Sequence, residues 1–251
     1  MNILLTNDDG FDSQLLHMLC RAAAARGHRV TVSAPASQQS AKSHSFTLAT
    51  PLIVHKREME GAAEAWAVEG TPVDSARLGL MSLATAPIDL VISGVNNGEN
   101  VGLATYVSGT VGAAREIAFQ QKRAMAVSMQ VGTPIETARF FMDWIITVAE
   151  HYMTYPAPDM CVCNLNVPRV PVHELLEPVV CPISTNVYRD DYEKRVSPRG
   201  TEYYWLSPLQ DDANPTPGSD VEYLQKGHIT CTFLTPEPCG QEQFKDFFEE
   251  I

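Results

Sequence analysis

The alternation of short apolar runs with helical stretches over the first 168 residues constrains the fold most strongly. Short, uniformly apolar runs are typical of buried parallel strands. The stretches between them carry apolar residues at helical spacing. The pattern therefore predicts an α/β fold with a doubly wound, mostly parallel, Rossmann-like sheet. Strands are predicted over 3–6, 29–33, 65–68, 88–93, 124–128 and 160–165, and helices over 14–26, 72–83, 110–121 and 136–151.

After about residue 168 the sequence changes character, because strand-like pieces and prolines dominate and helical patterning becomes scarce. We therefore predict an α/β core over 1–170 and a β-rich C-terminal extension over 171–251 within the same globular unit. Within the extension, the aromatic stretch 187–206 predicts a protruding arm or hairpin. The remaining expectations are an exposed polar loop over 210–220, a strand over 228–233 and a terminal helix over about 241–251.

The charge balance limits the partners that this chain can have. Its 18 Lys and Arg residues against 30 Asp and Glu give a formal net charge of −12, which disfavours binding to nucleic acid. The excess acid lies in residues 126–251, because residues 1–125 hold 10 basic and 11 acidic residues. No apolar run is long enough to span a membrane. The first residues form no basic leader and the cysteines match no zinc spacing, so we expect a cytoplasmic protein.

Polar loops follow three of the predicted strands, where ligands bind in such sheets. The first is Asn7-Asp8-Asp9-Gly10. Two adjacent carboxylates at the mouth of a buried strand repel each other, and a cation or a shared proton relieves that repulsion. Mg²⁺ and Mn²⁺ prefer such oxygen ligands. The residues equally fit an ordinary Asp-Gly turn with a capping role, so both interpretations stay open here.

The second loop indicates a ligand site less strongly than the third. Loop 34–41 offers hydroxyl and amide oxygens, with His44 and Ser45 beyond it, but by itself it is typical of a polar surface loop. Loop 93–110 is long and rich in glycine, which allows the backbone to approach a ligand closely. It ends in Ser108-Gly109-Thr110 at a predicted helix start, where free amides and the helix dipole favour an anion.

Three common nucleotide and hydrolase motifs are absent from the sequence. It contains no G-x-x-x-x-G-K-[ST] phosphate loop and no G-x-G-x-x-G after the first strand. It also lacks the G-x-S-x-G of α/β-hydrolases. The three polar loops together therefore predict a metal and phosphate site of a different kind.

Five motifs follow one another along the chain: Leu4-Leu5-Thr6-Asn7-Asp8-Asp9-Gly10, Ala34-Pro35 with Ser40, Gly70-Thr71-Pro72-x-Asp74, Ser93-Gly94-Val95-Asn96-x-Gly98-x-Asn100 and Ser108-Gly109-Thr110-Val111-x-Ala113-Ala114. In order and spacing, these motifs resemble the SurE family of survival-protein 5'-nucleotidases. They cover about the first half of the chain. Asn164-x-Asn166-Val167-Pro168 and the stretch from Arg195 to Trp205 also fit. Each motif alone is weak, whereas five in register are highly specific.

The resemblance implies a metal-dependent phosphatase that acts on nucleoside monophosphates, with 3'-nucleotides and short polyphosphate as further candidate substrates. It also implies one divalent cation per subunit, Mg²⁺ or Mn²⁺, held by Asp8, Asp9, Ser40 and Asn96. Family members form dimers or tetramers with exchanged C-terminal segments, and the arm over 187–206 fits that use. The candidate phosphate- or substrate-binding residues are Asn7, Gly10, His44, Ser45, Gly70, Thr71, Asp74, Gly94, Asn100, Ser108, Gly109 and Thr110.

The chain departs from the family pattern at two places near the predicted site. The second loop of the family has an acidic and then a basic residue after its proline, whereas this chain has Ala36 and the uncharged Ser37-Gln38-Gln39. The first loop of the family continues into a small-Pro-Gly segment, whereas this chain has Phe11-Asp12-Ser13-Gln14. The expected metal ligands are unchanged, so these departures concern substrate preference and the shape of the entrance.

The expected reaction is in-line attack of a metal-activated water on the phosphate, with Asp8 and Asp9 as catalytic residues. His44 is a candidate proton donor and equally a plain loop histidine. One rival is an aspartyl-phosphate mechanism with Asp8 as nucleophile, although that class places its carboxylates at Asp-x-Asp spacing. Another rival is a nucleotide-binding regulatory module that does not hydrolyse its ligand.

Overall fold

The structure is a computed structural model, and it describes residues 1–186, 190–208 and 215–236. Its strands are β1 (Asn2–Thr6), β2 (Arg29–Pro35), β3 (Ile53–Arg57), β4 (Ala62–Glu69), β5 (Leu90–Asn97), β6 (Arg123–Met129), β7 (Val162–Val167), β8 (Leu176–Val180), β9 (Asp190–Val196), β10 (Glu202–Pro208) and β11 (His228–Leu234). Its α-helices are α1 (Gln14–Ala25), α2 (Pro72–Leu78), α3 (Ala104–Val107), α4 (Gly109–Phe119), α5 (Ile135–Thr154) and α6 (Asp220–Gln225). A π-helical turn (Gly79–Leu83) continues α2, and a short 3-10 turn covers Val172–Glu174.

Nine strands form one sheet in the order β3-β4-β2-β1-β5-β6-β7-β11-β8. The central pairs, from β4 through β2, β1, β5 and β6 to β7, are all parallel. The pairs β3–β4 and β7–β11 are antiparallel. The predicted doubly wound, mostly parallel sheet is therefore confirmed. Since the chain moves outward from β1 to β2 and later returns to β5, the switch point lies between β1 and β5, where such sheets bind ligands.

Two helical layers cover the sheet, and β1 shows how the sequence produces them. Its buried side chains alternate, with Ile3 and Leu5 in the cluster under α1 and α5, and Leu4 in the cluster under α2 and α4. Alternate residues of a strand point to opposite faces, so a run that is apolar throughout requires a layer on each face. Burial of a leucine side chain stabilises the fold by roughly 1.5–3 kcal/mol. The core therefore holds β1 rigidly just before its polar loop.

The helix predicted over 72–83 is α-helical only to Leu78 and then widens into the π-helical turn. The widening begins where the helix lies closest to the sheet, because a Cβ at Gly79 would lie 2.8 Å from Cβ of Ser33 on β2. The start of α2 is fixed by a capping box, in which Thr71 accepts a hydrogen bond from the Asp74 amide. The edge strand β3 was not predicted, since it is mostly exposed and carries His-Lys-Arg.

The loop predicted over 93–110 is shorter than expected. Strand β5 continues to Asn97, because its pairing with β6 resumes at Asn96 opposite Ser128 after a register shift. The helical turn α3 then occupies Ala104–Val107. Only 7 of the 18 residues of the predicted loop, 98–103 and 108, are therefore free of regular structure, and Asn96 lies on the end of a strand.

The C-terminal extension contributes β8 and β11 to the main sheet, while β9 and β10 form a separate antiparallel hairpin. A hairpin within the predicted arm is thus confirmed for 190–208, and residues 187–189 lie outside the described residues. The predicted terminal helix also lies outside them. Of the exposed loop predicted over 210–220, residues 210–214 lie outside the described residues. The prediction is wrong at its end, because Ser219 and Asp220 are fully buried and α6 begins at Asp220. Within the described residues, no helix is long and apolar enough to cross a membrane.

Candidate active site

The loop after β1 closes on itself and leaves two carboxylates at the switch point. Asn7 donates through Nδ2 to the Gly10 carbonyl at 2.9 Å and accepts the Gly10 amide at 3.1 Å. Gly10 has a φ of +99°, and a Cβ there would lie 3.1 Å from the Ser37 carbonyl carbon, so the turn needs glycine. Asn7 and Gly10 thus shape the loop in which Asp8 and Asp9 lie.

Asp8 and Asp9 are adjacent in sequence but contact different neighbours. Asp8 is buried, and Thr110 Oγ1 on α4 donates to its Oδ1 at 2.5 Å. Asp9 is half-buried, and the backbone amide of Asn97, at the end of β5, donates to its Oδ2 at 3.0 Å. Burial raises the pKa of both carboxyls, and the charge of Asp9 raises that of Asp8 further. The pair therefore concentrates negative charge that a cation would neutralise.

The second loop is tied to the first along its backbone. The Phe11 amide donates to the Pro35 carbonyl at 2.7 Å, and the Gln39 amide donates to the Asp8 carbonyl at 2.8 Å. Ser40 is exposed just beyond, and its Oγ accepts a hydrogen bond from Gln38 Nε2 at 3.1 Å. The second loop thus brings a neutral hydroxyl oxygen to the region of the carboxylate pair.

Asn96 supplies an amide at the end of β5. Its Nδ2 donates to the Gly98 carbonyl at 2.7 Å, which fixes the amide and leaves Oδ1 as the acceptor that can face a cation. Two residues earlier, Gly94 has a φ of +138°, and a Cβ there would lie 2.2 Å from the Val127 carbonyl oxygen on β6. Only glycine fits this close approach of the two strands, so Gly94 shapes the strand that carries Asn96.

The start of α4 lies directly against Asp8. Ser108 is the N-cap, and its hydroxyl accepts a hydrogen bond from the Val111 amide at 3.1 Å. A Cβ at Gly109 would lie 3.2 Å from Cβ and Oδ2 of Asp8, so the absence of a side chain permits the contact. Since the amides of a helix start and its dipole attract anions, this end of α4 can receive a phosphate beside the carboxylates.

Asn100 lies in a buried network that we call the clasp, which comprises Asn100, Ser128, Asn164, Asn166 and Asp220. The backbone amide of Asn100 donates to Asn166 Oδ1 at 2.8 Å, and its side-chain Nδ2 donates to Ser128 Oγ at 2.8 Å. Asn164 Nδ2 donates to the Asn100 carbonyl at 2.9 Å. The clasp therefore fastens the loop after β5 to strands β6 and β7.

Asp220 completes the clasp from the start of α6. Its Oδ2 accepts the Gly102 amide at 2.8 Å, and its Oδ1 accepts the amides of Ser184 and Val221, each at 2.8 Å. Burial raises the pKa of this carboxyl against the effect of those amides, which lower it. Sequence analysis gave Asp220 no role. It used Asn164 and Asn166 only for the family resemblance, although two amides within an otherwise apolar strand also indicate a buried hydrogen-bond network.

The other predicted substrate residues bond to each other rather than to the carboxylate pair. Asp74 accepts hydrogen bonds from the Thr47 and Thr71 amides, and Thr71 Oγ1 donates to the Ser45 carbonyl at 2.7 Å. Ser45, Gly70 and Thr71 line a separate cleft of about 510 Å³ on one side of the second loop. Their contact with a ligand stays a prediction.

His44 contacts helix α4. Its Nε2 lies 2.9 Å from Glu116 Oε2, and its ring stacks on Phe119 at 5.5 Å. Glu116 in turn accepts a hydrogen bond from Arg77 at 2.6 Å. These contacts give His44 a structural role between the second loop and α4, and its use as a proton donor is not supported by any contact with Asp8 or Asp9 within the described residues.

A family model described as Survival protein SurE matches residues 3–190. A protein named 5'-nucleotidase SurE from Maridesulfovibrio salexigens is 41% identical over 234 residues, which cover 93% of this chain and 92% of that protein. A protein of the same name from Gloeobacter violaceus is 36% identical, covering 100% and 99%. The crystal structure of the Sure protein from Aquifex aeolicus superposes with a TM-score of 0.81 at 25% identity, covering 100% of this chain and 99% of that one.

Proposed function

This chain belongs to the SurE family, and we propose that it is a 5'-nucleotidase that releases phosphate from nucleoside 5'-monophosphates with the help of a divalent cation. The observation that carries the proposal is the pair of carboxylates, Asp8 and Asp9, at the switch point of the sheet beside the start of α4. Relatives named 5'-nucleotidase over nearly the whole chain support it. Nucleoside 3'-monophosphates and short polyphosphate are further candidate substrates.

The proposed ligands of the cation are Asp8, Asp9, Ser40 and Asn96, with one cation per subunit. They are two carboxylates, a hydroxyl and an amide, an all-oxygen set that fits Mg²⁺ or Mn²⁺. Hydrogen bonds fix three of these four side chains. The Thr110 hydroxyl donates to Asp8, the Asn97 backbone amide donates to Asp9, and the Asn96 side chain donates to the Gly98 carbonyl. Each of the three side chains keeps acceptor capacity for a cation. The residues present therefore fit the group that the family implies.

When bound, the cation would lower the pKa of water and neutralise charge that develops on the phosphoryl oxygens. Residues of the protein carry out the remaining steps. The amides at the start of α4 receive the phosphate oxygens from one side. Asp9 orients the attacking water and accepts its proton, while Thr110 holds Asp8 in place. The water oxygen forms a bond to phosphorus as the bond to the 5'-oxygen breaks, and that oxygen leaves as the nucleoside hydroxyl after it gains a proton.

We further propose that the protein is a homodimer or homotetramer whose hairpin of β9 and β10 is exchanged between subunits. The hairpin leaves several large apolar side chains exposed, among them Tyr192, Val196, Tyr204 and Trp205. Exposed apolar patches of this kind mark interaction surfaces. Light scattering on the native chain and on a Tyr204→Ser/Trp205→Ser variant tests the proposal, and a native monomer would contradict it. A cytoplasmic location likewise stays a proposal.

A phosphate-release assay tests the enzyme proposal. The protein is incubated with 5'- and 3'-nucleoside monophosphates and short polyphosphate, with Mg²⁺, Mn²⁺ or a chelator. Asp9→Asn removes a proposed ligand, and Asp12→Asn is the matched control, because Asp12 lies nearby on the exposed surface and pairs with Arg57 at 3.2 Å. We expect release that requires metal, survives Asp12→Asn and is lost in Asp9→Asn.

The same assay separates the rival interpretations. Absence of release with either metal, or full activity in Asp9→Asn, would refute the proposal and favour a module that binds without hydrolysis. Direct water attack and hydrolysis of an aspartyl phosphate both place one solvent oxygen in the phosphate. The two mechanisms are therefore separated by an attempt to trap a phosphoenzyme, which direct attack does not form. A phosphoenzyme trapped on Asp8 would instead support the covalent mechanism.

A further inference from the structure

A second cleft, of about 330 Å³, opens beside Asp9 on the other side of the second loop from Ser45 and Thr71. The start of α1, the start of α5, the end of β6 and Gln38 surround it, and Asn97 lies at its edge. Its volume is at the lower end of the range for small-molecule sites. We call it the Gln14 cleft, after the exposed amide side chain at its rim.

The two carboxylates indicate how a substrate would lie across this region. Asp8 contacts α4, where the phosphate is proposed to bind, whereas Asp9 contacts Asn97 and lines the Gln14 cleft. A phosphate ester held at the start of α4 would therefore reach the cleft with the group attached to its phosphate. We propose that the Gln14 cleft binds the nucleoside part of the substrate and that Gln14 is a specificity-determining residue. This inference rests on the proposed nucleotidase function.

The chemistry of the lining fits a nucleobase. Leu15 and Ile135 offer apolar surface to the faces of a planar ring, and the buried Met129 lies beneath them. Gln14 is exposed at the first position of α1, and its amide makes no hydrogen bond to any residue that the structure describes. An amide can donate and accept at once, which matches the adjacent donor and acceptor atoms on the edge of a base. Gln14 thus offers an unused pair of hydrogen-bonding groups to the edge of a base.

Part of each departure from the family pattern lines the cleft. Ser13 and Gln14 stand in the first departure and Gln38 stands in the second, and all three line the cleft. Ser13 precedes α1 without capping it through its side chain, so its hydroxyl is also available. Asp9 is the one charged residue that lines the cleft within the described part of the chain. A neutral polar rim fits an uncharged base better than it fits a second phosphate.

The test compares a nucleotide with the same phosphate ester lacking the base. Values of kcat and KM are measured for adenosine 5'-monophosphate and ribose 5-phosphate in the native protein and in Gln14→Leu, with saturating Mg²⁺ or Mn²⁺. Loss of one hydrogen bond to the base should lower kcat/KM for the nucleotide roughly 10-fold, mainly through KM. Hydrolysis of ribose 5-phosphate should stay unchanged, because the base makes the contact that is lost.

Gln39→Leu tests the alternative cleft. Gln39 neighbours Gln38 in sequence but lines the cleft of Ser45, Gly70 and Thr71. If Gln39→Leu lowers the ratio of nucleotide to ribose 5-phosphate hydrolysis and Gln14→Leu does not, the base binds on that side and the inference is overturned. It is also overturned if the native protein does not prefer the nucleotide. If neither ester is hydrolysed by the native protein, the proposed function itself fails, and this outcome is distinct from the others.

Discussion

Two buried polar regions meet at the loop after β5, and they use carboxylates in opposite ways. In the clasp, Asp220 accepts three backbone amides and has its hydrogen-bonding capacity largely filled by the protein. At the switch point, the Thr110 hydroxyl is the main donor to Asp8, with the backbone amides of Asp8 and Thr110 as lesser ones, and a single backbone amide donates to Asp9. The difference teaches that the residue type alone does not identify a ligand site. What separates the two regions is how much acceptor capacity the fold itself uses.

The largest effect that we expect comes from Asp8→Asn. The substitution keeps the shape of the side chain and the hydrogen bond from Thr110 but removes a proposed ligand charge. We expect kcat/KM to fall by about 10³-fold or more. The melting temperature should hold or rise, because one of two adjacent buried charges is gone. Steady-state kinetics check the expected fall in kcat/KM, and thermal unfolding checks the expected melting temperature. An active but destabilised variant would mean that Asp8, like Asp220, serves stability, and it would contradict the proposed difference between the two regions.

Asp220→Ala is the reverse test. It leaves the amides of Gly102, Ser184 and Val221 without their acceptor, which should lower the free energy of unfolding by about 3 kcal/mol. For a chain of this size that corresponds to a fall in melting temperature of roughly 6–12 °C. At a temperature where the variant is folded, kcat/KM should change little. Loss of activity at unchanged stability would place Asp220 among the functional residues.

Thr110→Val removes the hydroxyl that holds Asp8 while keeping the volume of the side chain. Partners of metal ligands typically contribute 10- to 100-fold to affinity or activity, so we expect a loss of about that size in apparent metal affinity. Thr110→Ser keeps the hydroxyl and serves as the matched control. Titration of activity with Mg²⁺ or Mn²⁺ distinguishes the two, and equal curves would show that Thr110 acts only in packing.

Ser128→Ala is expected to have the smallest effect. It removes the acceptor for Asn100 Nδ2 in the clasp, and one such hydrogen bond contributes about 1 kcal/mol. The melting temperature should fall by roughly 2–4 °C while metal dependence stays that of the native protein. A shift in the metal titration would mean that the clasp tunes the cation site and does more than fasten the loop.

The sequence predicted the fold class well because the signal is local. The first strand, Ile3-Leu4-Leu5-Thr6, is apolar on both faces, which is the pattern that a strand between two helical layers must have. Strand β3 gave no such signal, because an exposed edge strand can be polar on both faces. The end of β5 was mistaken for loop, since pairing with β6 after a register shift depends on a neighbour that the local sequence does not reveal.

The candidate site was predicted in part for the same reason. Asp8, Asp9 and Ser108 to Thr110 stand in loops whose chemistry is visible in the sequence, and the structure brings Asp8 and Thr110 together. The hydrogen bond from the Thr47 backbone amide to Asp74 and the pairing of His44 with Glu116 depend on contacts between distant segments. Asp220 lies 118 positions from the amide of Gly102 that it accepts, so no local pattern could have indicated it.

The distribution of these residues along the chain has a consequence for synthesis on the ribosome. Every proposed metal and phosphate ligand lies within residues 1–110, so a growing chain carries all of them before it carries Asn166 or Asp220. The loop that follows Asn96, however, is fastened by Asn166 and Asp220, which emerge much later. A nascent chain should therefore hold its ligands in an unfastened arrangement until the last strands form. Arrested chains ending near residues 125 and 236 should differ in protease resistance of this loop.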